Sequence, residues 1–203
     1  SVSDRERILE KIRKLRKDFG QNNLNIYLLH GDLTQKEVNG LYNHPKVKVH
    51  VSFTKGEGFG RPLLEASLSA KPVMASNWSG QIDFLKHSIL LPGTINDVHK
   101  SAINQFILKG SKWFTIDYAY AQKVFKDVYK NYKNYISASK KQAKFSRDYF
   151  SLSSMDSIFK RLLDKYLQDA PMPVKLNLPK LKKVSEKKEL PKVKLPKLKK
   201  VEA

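Results

Sequence analysis

Hydrophobic positions in this chain change period several times before residue 100. Residues 3–19 set Ile8, Ile12, Leu15 and Phe19 on one face at helical spacing, and Gly20 stops the run. Residues 24–30, LNIYLLH, form an unbroken apolar run of strand length. A capping box opens the next helix: Thr34 can accept from the amide of Glu37 while the glutamate reaches back, and the helix runs to Tyr42. Val47, Val49, Val51 and Phe53 alternate with Lys48, His50 and Ser52, which predicts a strand of period two. Pro62 suits a first helical position, and LLEASLSA carries that helix to about Ala70. PVMAS, 72–76, predicts another strand, Ser79 is placed to cap a helix through about Leu85, and ILLPG, 89–93, predicts a last short strand. Strands alternating with helices give the expected class, α/β with a parallel sheet.

From Ser101 to Ala170 the pattern predicts helix alone. FTIDYAYAQKVFKDVYKNY and NYISASKKQAKFSRDYF mix aromatics with lysines, and IFKRLLDKYL is amphipathic. Such a mixture can stack nucleic-acid bases, but at helical spacing it reads as core stripes with a solvated opposite face. After Ala170 the composition shifts. The segment 171–203 holds five of the nine prolines, repeats LPKLKKV at 178–184 and 195–201, and carries a shortened copy, LPKVK, at 190–194. Prolines at that density preclude a long helix, and isolated Leu and Val between lysines offer little to bury, so a disordered tail is expected. The expected organisation is 1–110 as an α/β lobe, 111–170 as helices and 171–203 as the tail.

Composition narrows the chemistry. There is no cysteine among the 203 residues, which excludes disulfides and thiolate metal sites and fits a reducing compartment. No apolar run approaches membrane-span length, so a cytoplasmic protein is expected. The chain opens on Ser1 inside a charged helical pattern, as a piece of a longer protein would. Its net charge of +20 includes +8 from the tail, where eleven lysines meet three glutamates. The tail is therefore a candidate contact for polyanions, and a non-enzymatic module binding nucleic acid or an acidic surface is the alternative functional class. His30, His44, His50, His87 and His99 show no metal-ligand spacing, so no metal site is expected.

The most informative stretch is TKGEGFGRPLLEASLSAKPVMAS, 54–76. It follows a predicted strand, where α/β proteins bind ligands. Gly56, Gly58 and Gly60 permit close backbone approach, and the start of the following helix offers free amides to an anion. GEGFG lacks the G-K-[ST] ending of a P-loop, which disfavours nucleotide triphosphate hydrolysis. Glu57 lies in the loop and Glu65 on the helix's first turn; ionised carboxylates accept from vicinal hydroxyls at both oxygens. A diphosphate between two polyols describes a nucleotide-sugar. Lys55 and Arg61 flank the loop and could neutralise phosphate, although basic residues beside a turn are usually solvated.

GEGFGRPLLEASLSAKPVMASNWSGQIDFL, 56–85, with its E-x7-E pair, P-L-L-E-A helix and PV strand before a Ser-Gly turn, resembles the group 1 retaining glycosyltransferases of GT-B fold. A weaker likeness runs upstream through YLLHGDLTQKEVNGLYNHPKVKVHVSF. The resemblance implies a partial C-terminal, donor-binding lobe of Rossmann-like type. It implies Glu57 as the catalytic-site contact to the donor sugar and Glu65 as the ribose ligand. Gly58, Phe59 and Gly60 would give backbone contacts, Arg61 and Lys55 donor-binding charges, and the loop of His30, Gly31 and Asp32 the base site. The implied reaction moves a sugar from a nucleoside diphosphate sugar to an acceptor hydroxyl of a glycan, lipid or protein, with the donor as substrate and no separate cofactor. The lobe's usual opening strand and loop, with its arginine and lysine for the diphosphate, are not in this sequence. A chain of this extent is therefore expected to be inactive by itself.

Overall fold

The computed structural model describes residues 2–18, 20 and 25–167. The chain divides into two units, Ser1–Arg161 and Leu162–Ala203, and the second is described only over Leu162–Leu167. The proposed tail, 171–203, lies outside the described residues.

Elements follow in the order α1 (Val2–Asp18), α2 (Gln35–Asn43), β1 (His50–Ser52), α3 (Arg61–Ser67), β2 (Val73–Ser76), β3 (Ile89–Leu91), β4 (Gly93–Asp97), β5 (Lys112–Ile116), α4 (Tyr118–Lys130), α5 (Tyr132–Phe150) and α6 (Leu152–Tyr166). β1, β2 and β3 form a parallel sheet in that order, with β2 central. All four residues of β2 are buried, as expected of a parallel strand covered on both faces. Its side chains divide by parity. Val73 and Ala75 meet Leu63, Phe84 and Leu85 on one face, while Met74 meets Leu91, Phe114, Ile116 and Val128 on the other.

The capping box at α2 forms: Thr34 Oγ1 accepts from the Glu37 amide, and Glu37 Oε2 accepts from the Thr34 amide at 2.8 Å. Lys71 then fixes the far end of that helix by donating from Nζ to the carbonyls of Tyr42 and His44, both at 2.7 Å. Helix carbonyls left without intrahelical donors are thereby satisfied.

Four expectations are corrected. Residues 25–30 form no strand and pair with nothing in the sheet; Leu24 lies outside the described residues. The stretch after Ser101 is not helix alone, because KWFTI forms β5 and pairs antiparallel with β4, from Gly93 opposite Ile116 to Asp97 opposite Lys112. Its β-branched and aromatic residues favour a strand although α4 follows directly. Ser79 precedes only a 3-10 turn, Gly80–Asp83, and its side chain caps nothing there. The core stripes of α4 and α5 form only in part: Tyr132 and Tyr135 continue the row of Ala121, Val124 and Val128 against the core. Tyr118, Tyr129 and Tyr149 are exposed, and the buried face of α5 is Ser139, Gln142, Ala143 and Ser146. Small side chains at that spacing let α5 approach α3, where Ser146 and Ser67 hydroxyls meet at 2.7 Å.

Candidate functional site

The loop 54–60 leaves β1 at the carboxyl end of the parallel sheet and runs directly into α3. A second loop, 77–79, leaves β2 beside it. Two glycines bring the loops together. Gly60 takes φ +88°, and a Cβ there would lie 3.3 Å from the Gln81 Cβ; a Cβ on Gly80 would come within 2.2 Å of the Gly58 carbonyl oxygen. Only a residue without a side chain allows that approach.

Ser79 holds φ +71°, a conformation that L-residues adopt at a cost of about 1–3 kcal/mol. What it makes there is a clamp. Its Oγ accepts from the Glu57 amide at 3.0 Å and donates to the Glu57 carbonyl, which also accepts from the Gly80 amide at 3.2 Å. The backbone of Glu57 is thus held on both sides by the second loop. Its side chain lines a cavity of about 400 Å³ with Tyr42, His50, Ser52, Gly60 and Pro62.

Glu65 sits elsewhere. α3 begins at Arg61, so Glu65 lies past the first turn rather than on it. Its Oε1 accepts from Arg61 Nε at 3.1 Å, and it borders two clefts, one with Asn39 and Tyr42, the other with Arg147 and Ser151. Neither cleft is the cavity of Glu57. Tyr42 lines both the Glu57 cavity and one Glu65 cleft. Burial raises its phenol above the ordinary tyrosine range, and the charge of Glu65 adds to the effect.

The N-terminus of α3 gives an anion fewer donors than its sequence implies. Pro62 has no N–H, and the amides of Leu63 and Leu64 both donate to the Gly60 carbonyl. Lys55 points to β5: its Nζ donates to Thr115 Oγ1 at 3.2 Å and lies 5.3 Å from the centre of the Trp113 ring. The Phe59 ring packs 5.1 Å from Phe84 and 6.2 Å from Phe150, so its side chain anchors the loop and leaves its backbone for a ligand. Gly58 is exposed beside it. Gly31 takes φ +131° in an exposed loop with His30 and Asp32, and lines neither the Glu57 cavity nor the Glu65 clefts.

Two residues of the cavity were not among the sequence candidates. His50 packs edge-on to Tyr42 at 5.2 Å and hydrogen-bonds Ser69 Oγ through Nε2 at 3.2 Å. Burial, reinforced by the charge of Lys71, holds its imidazole below the ordinary histidine range. Its signal in the sequence was its place among the polar positions of an alternating strand. Tyr42 carried no signal beyond its place at the end of a helix. Among the described residues no group of three or more histidines and carboxylates is close enough to hold a metal, and no helix is long and apolar enough to cross a membrane. No protein-family model matches the chain, and no curated protein matches it.

Proposed function

We propose that this chain forms part of the donor-binding side of a glycosyltransferase of the GT-B, retaining type, acting on a nucleoside diphosphate sugar. The observation that carries this reading is the clamped Glu57, whose backbone is fixed at Ser79 and Gly80 while the residue lines a cavity alongside β1 and the loop that follows it. A carboxylate carried on a backbone fixed in that way has less chain to order before it accepts from vicinal sugar hydroxyls, which is the preorganisation that sugar positioning needs.

The two glutamates then have separate tasks. Glu57 orients the sugar, with Gly58, Phe59 and Gly60 presenting backbone to sugar and diphosphate. Glu65 receives the ribose once it releases Arg61. Its ion pair with Arg61 is solvent-exposed on the arginine side and so costs little to open. Ribose hydroxyls replace the guanidinium at Glu65, and the freed Arg61 turns to the diphosphate, where positive charge stabilises the leaving group. Lys55 reaches the same phosphates only by leaving Thr115 and Trp113.

The test is titration of the labelled chain with UDP-, GDP- and ADP-sugars and with the corresponding diphosphates, followed by amide chemical shifts. Shifts concentrated at Glu57–Arg61 and Glu65, with a preference for one base, support the reading. Unchanged shifts there for every donor at millimolar concentration would overturn it.

A further inference from the structure

We propose that Trp78 is a stacking platform for the pyranose ring of a glycan, at a site separate from the cavity of Glu57 and the clefts of Glu65. Trp78 lines neither that cavity nor those clefts. It stands just after β2, in the second of the two loops that leave the carboxyl end of the parallel sheet. Its indole lies parallel to the Phe114 ring, with centroids 5.7 Å apart and an angle of 3° between the planes. Phe114 is 5% exposed, whereas Trp78 is 41% exposed. One indole face is therefore covered by the core, and the exposure lies on the opposite face and the ring edge.

The backbone holds this platform in place from two sides. Asn77 donates from its amide to the Leu91 carbonyl at 2.9 Å, and Ser79, the next residue, grips the Glu57 backbone. Under the indole, the Phe114 amide donates to the carbonyl of Lys55 at 3.4 Å, so the ring that Trp78 stacks on is bonded to the same loop that carries Glu57. A flat aromatic surface fixed in this way costs little to order when a ligand settles on it.

The surrounding chemistry suits a polyol ring. An open indole face is electron-rich and attracts the C–H face of a pyranose, whose hydroxyls then project past the ring edge. Groups to meet those hydroxyls stand there: the indole N–H of Trp78 donates, and the exposed carboxamide of Asn77 both donates and accepts. Neither makes a hydrogen bond to another described residue. A nucleotide would need positive charge for its phosphates. By the alternation of β5, Lys55 lies on the other face of that strand, at Thr115 and Trp113, and Lys112, on the Phe114 face, is matched by Asp97 at 4.0 Å. The site stands independently of the donor reading. Where that reading holds, the glycan on Trp78 is the acceptor, which narrows the acceptor class from glycan, lipid or protein to glycan.

The chain has two tryptophans, so Trp113→Phe identifies the indole N–H resonance of Trp78. The full labelled chain is titrated with tetrasaccharides of glucose, galactose, mannose and N-acetylglucosamine, and separately with uridine, guanosine and adenosine. The Trp78 indole resonance should move with at least one glycan and stay in place with the nucleosides. Trp78→Ala should weaken that glycan about tenfold or more, and Asn77→Ala about threefold. Trp78→Phe keeps a ring against Phe114 while shrinking the platform and removing the N–H, so its affinity should fall between wild type and Trp78→Ala even if the alanine variant folds poorly. No nucleotide is present in the glycan titrations, so a failed donor site at Glu57 leaves their result standing, and a failed platform leaves the donor titration standing. The proposal is overturned by an indole resonance that no glycan moves, by one that nucleosides move as far as glycans do, or by glycan affinity unchanged in Trp78→Phe and Trp78→Ala.

Discussion

The Ser79 hydroxyl grips both backbone groups of Glu57, accepting from its amide at 3.0 Å and donating to its carbonyl. Two loops that follow neighbouring parallel strands are thereby joined at a residue that lines the cavity. Ser79→Ala removes both contacts and should speed hydrogen exchange at the Glu57 amide by about fivefold, for a loss of about 1 kcal/mol in local stability. Gly80→Ala should do more, because its Cβ would meet the Gly58 carbonyl oxygen at 2.2 Å and the backbone itself must move. Amide exchange by NMR reads both; an unperturbed Glu57 amide in Ser79→Ala would show that the clamp is idle.

Because Glu57 and Glu65 open into different spaces, their substitutions should affect different steps. On the proposed function, Glu65→Ala should weaken nucleotide-sugar binding by about 1–3 kcal/mol, the range for a hydrogen bond to a charged group. Glu57→Ala should chiefly lower turnover. Arg61→Ala should weaken diphosphate binding more than nucleoside binding. Calorimetry of donor, diphosphate and nucleoside, beside transfer rates, checks all three, and equal losses for every ligand would contradict the division of tasks.

His50 makes stability depend on pH. Its imidazole is held below the ordinary histidine range by burial and by Lys71, so the folded chain resists protonation that the unfolded chain accepts. Stability from this residue is complete above the unfolded value, near 6.5, and falls as pH drops from there toward the lower folded value. His50→Gln should flatten that part of the pH profile while keeping a polar group near Ser69. Denaturant midpoints from pH 7.5 to 5 measure it, and an unchanged slope would assign the pH dependence to other groups.

Gln142 joins α5 to the segment after the 3-10 turn. Its Nε2 donates to the Phe84 carbonyl at 2.6 Å and to Ser146 Oγ at 2.9 Å, and its Oε1 accepts from the His87 amide at 2.7 Å. The side chain is 1% exposed, so Gln142→Leu leaves buried backbone groups without partners. A loss of about 2–4 kcal/mol is expected, more than for Gln142→Glu, which keeps the acceptor. Chemical denaturation of the two variants gives the comparison.

Local chemistry written within a few residues was legible in the sequence. The Thr34–Glu37 capping box, the alternation that placed β1, the apolar run of β2 and the proline that opens α3 all depend on neighbours in the chain, and each formed at or near its expected place. The position of the loop 54–60 at the end of a strand was legible for the same reason. Tertiary contacts decided the rest. Asn25–His30 has the composition of a strand, but a strand exists only where its backbone pairs, and in this fold the segment pairs with neither edge of the sheet. KWFTI became a strand because GTIND lay ready to pair with it. Ser79 was free to cap a helix until Glu57, twenty-two residues earlier, came within reach of its hydroxyl. The E-x7-E spacing fixed how far apart the glutamates are along the chain, but the turn at Gly60 and the packing of α3 against α5 sent them into different cavities. Sequence spacing sets what short-range hydrogen bonds and periodicity can specify; which side chains share a cavity depends on contacts between residues distant in the chain, and those exist only once the sheet and its covering helices have packed.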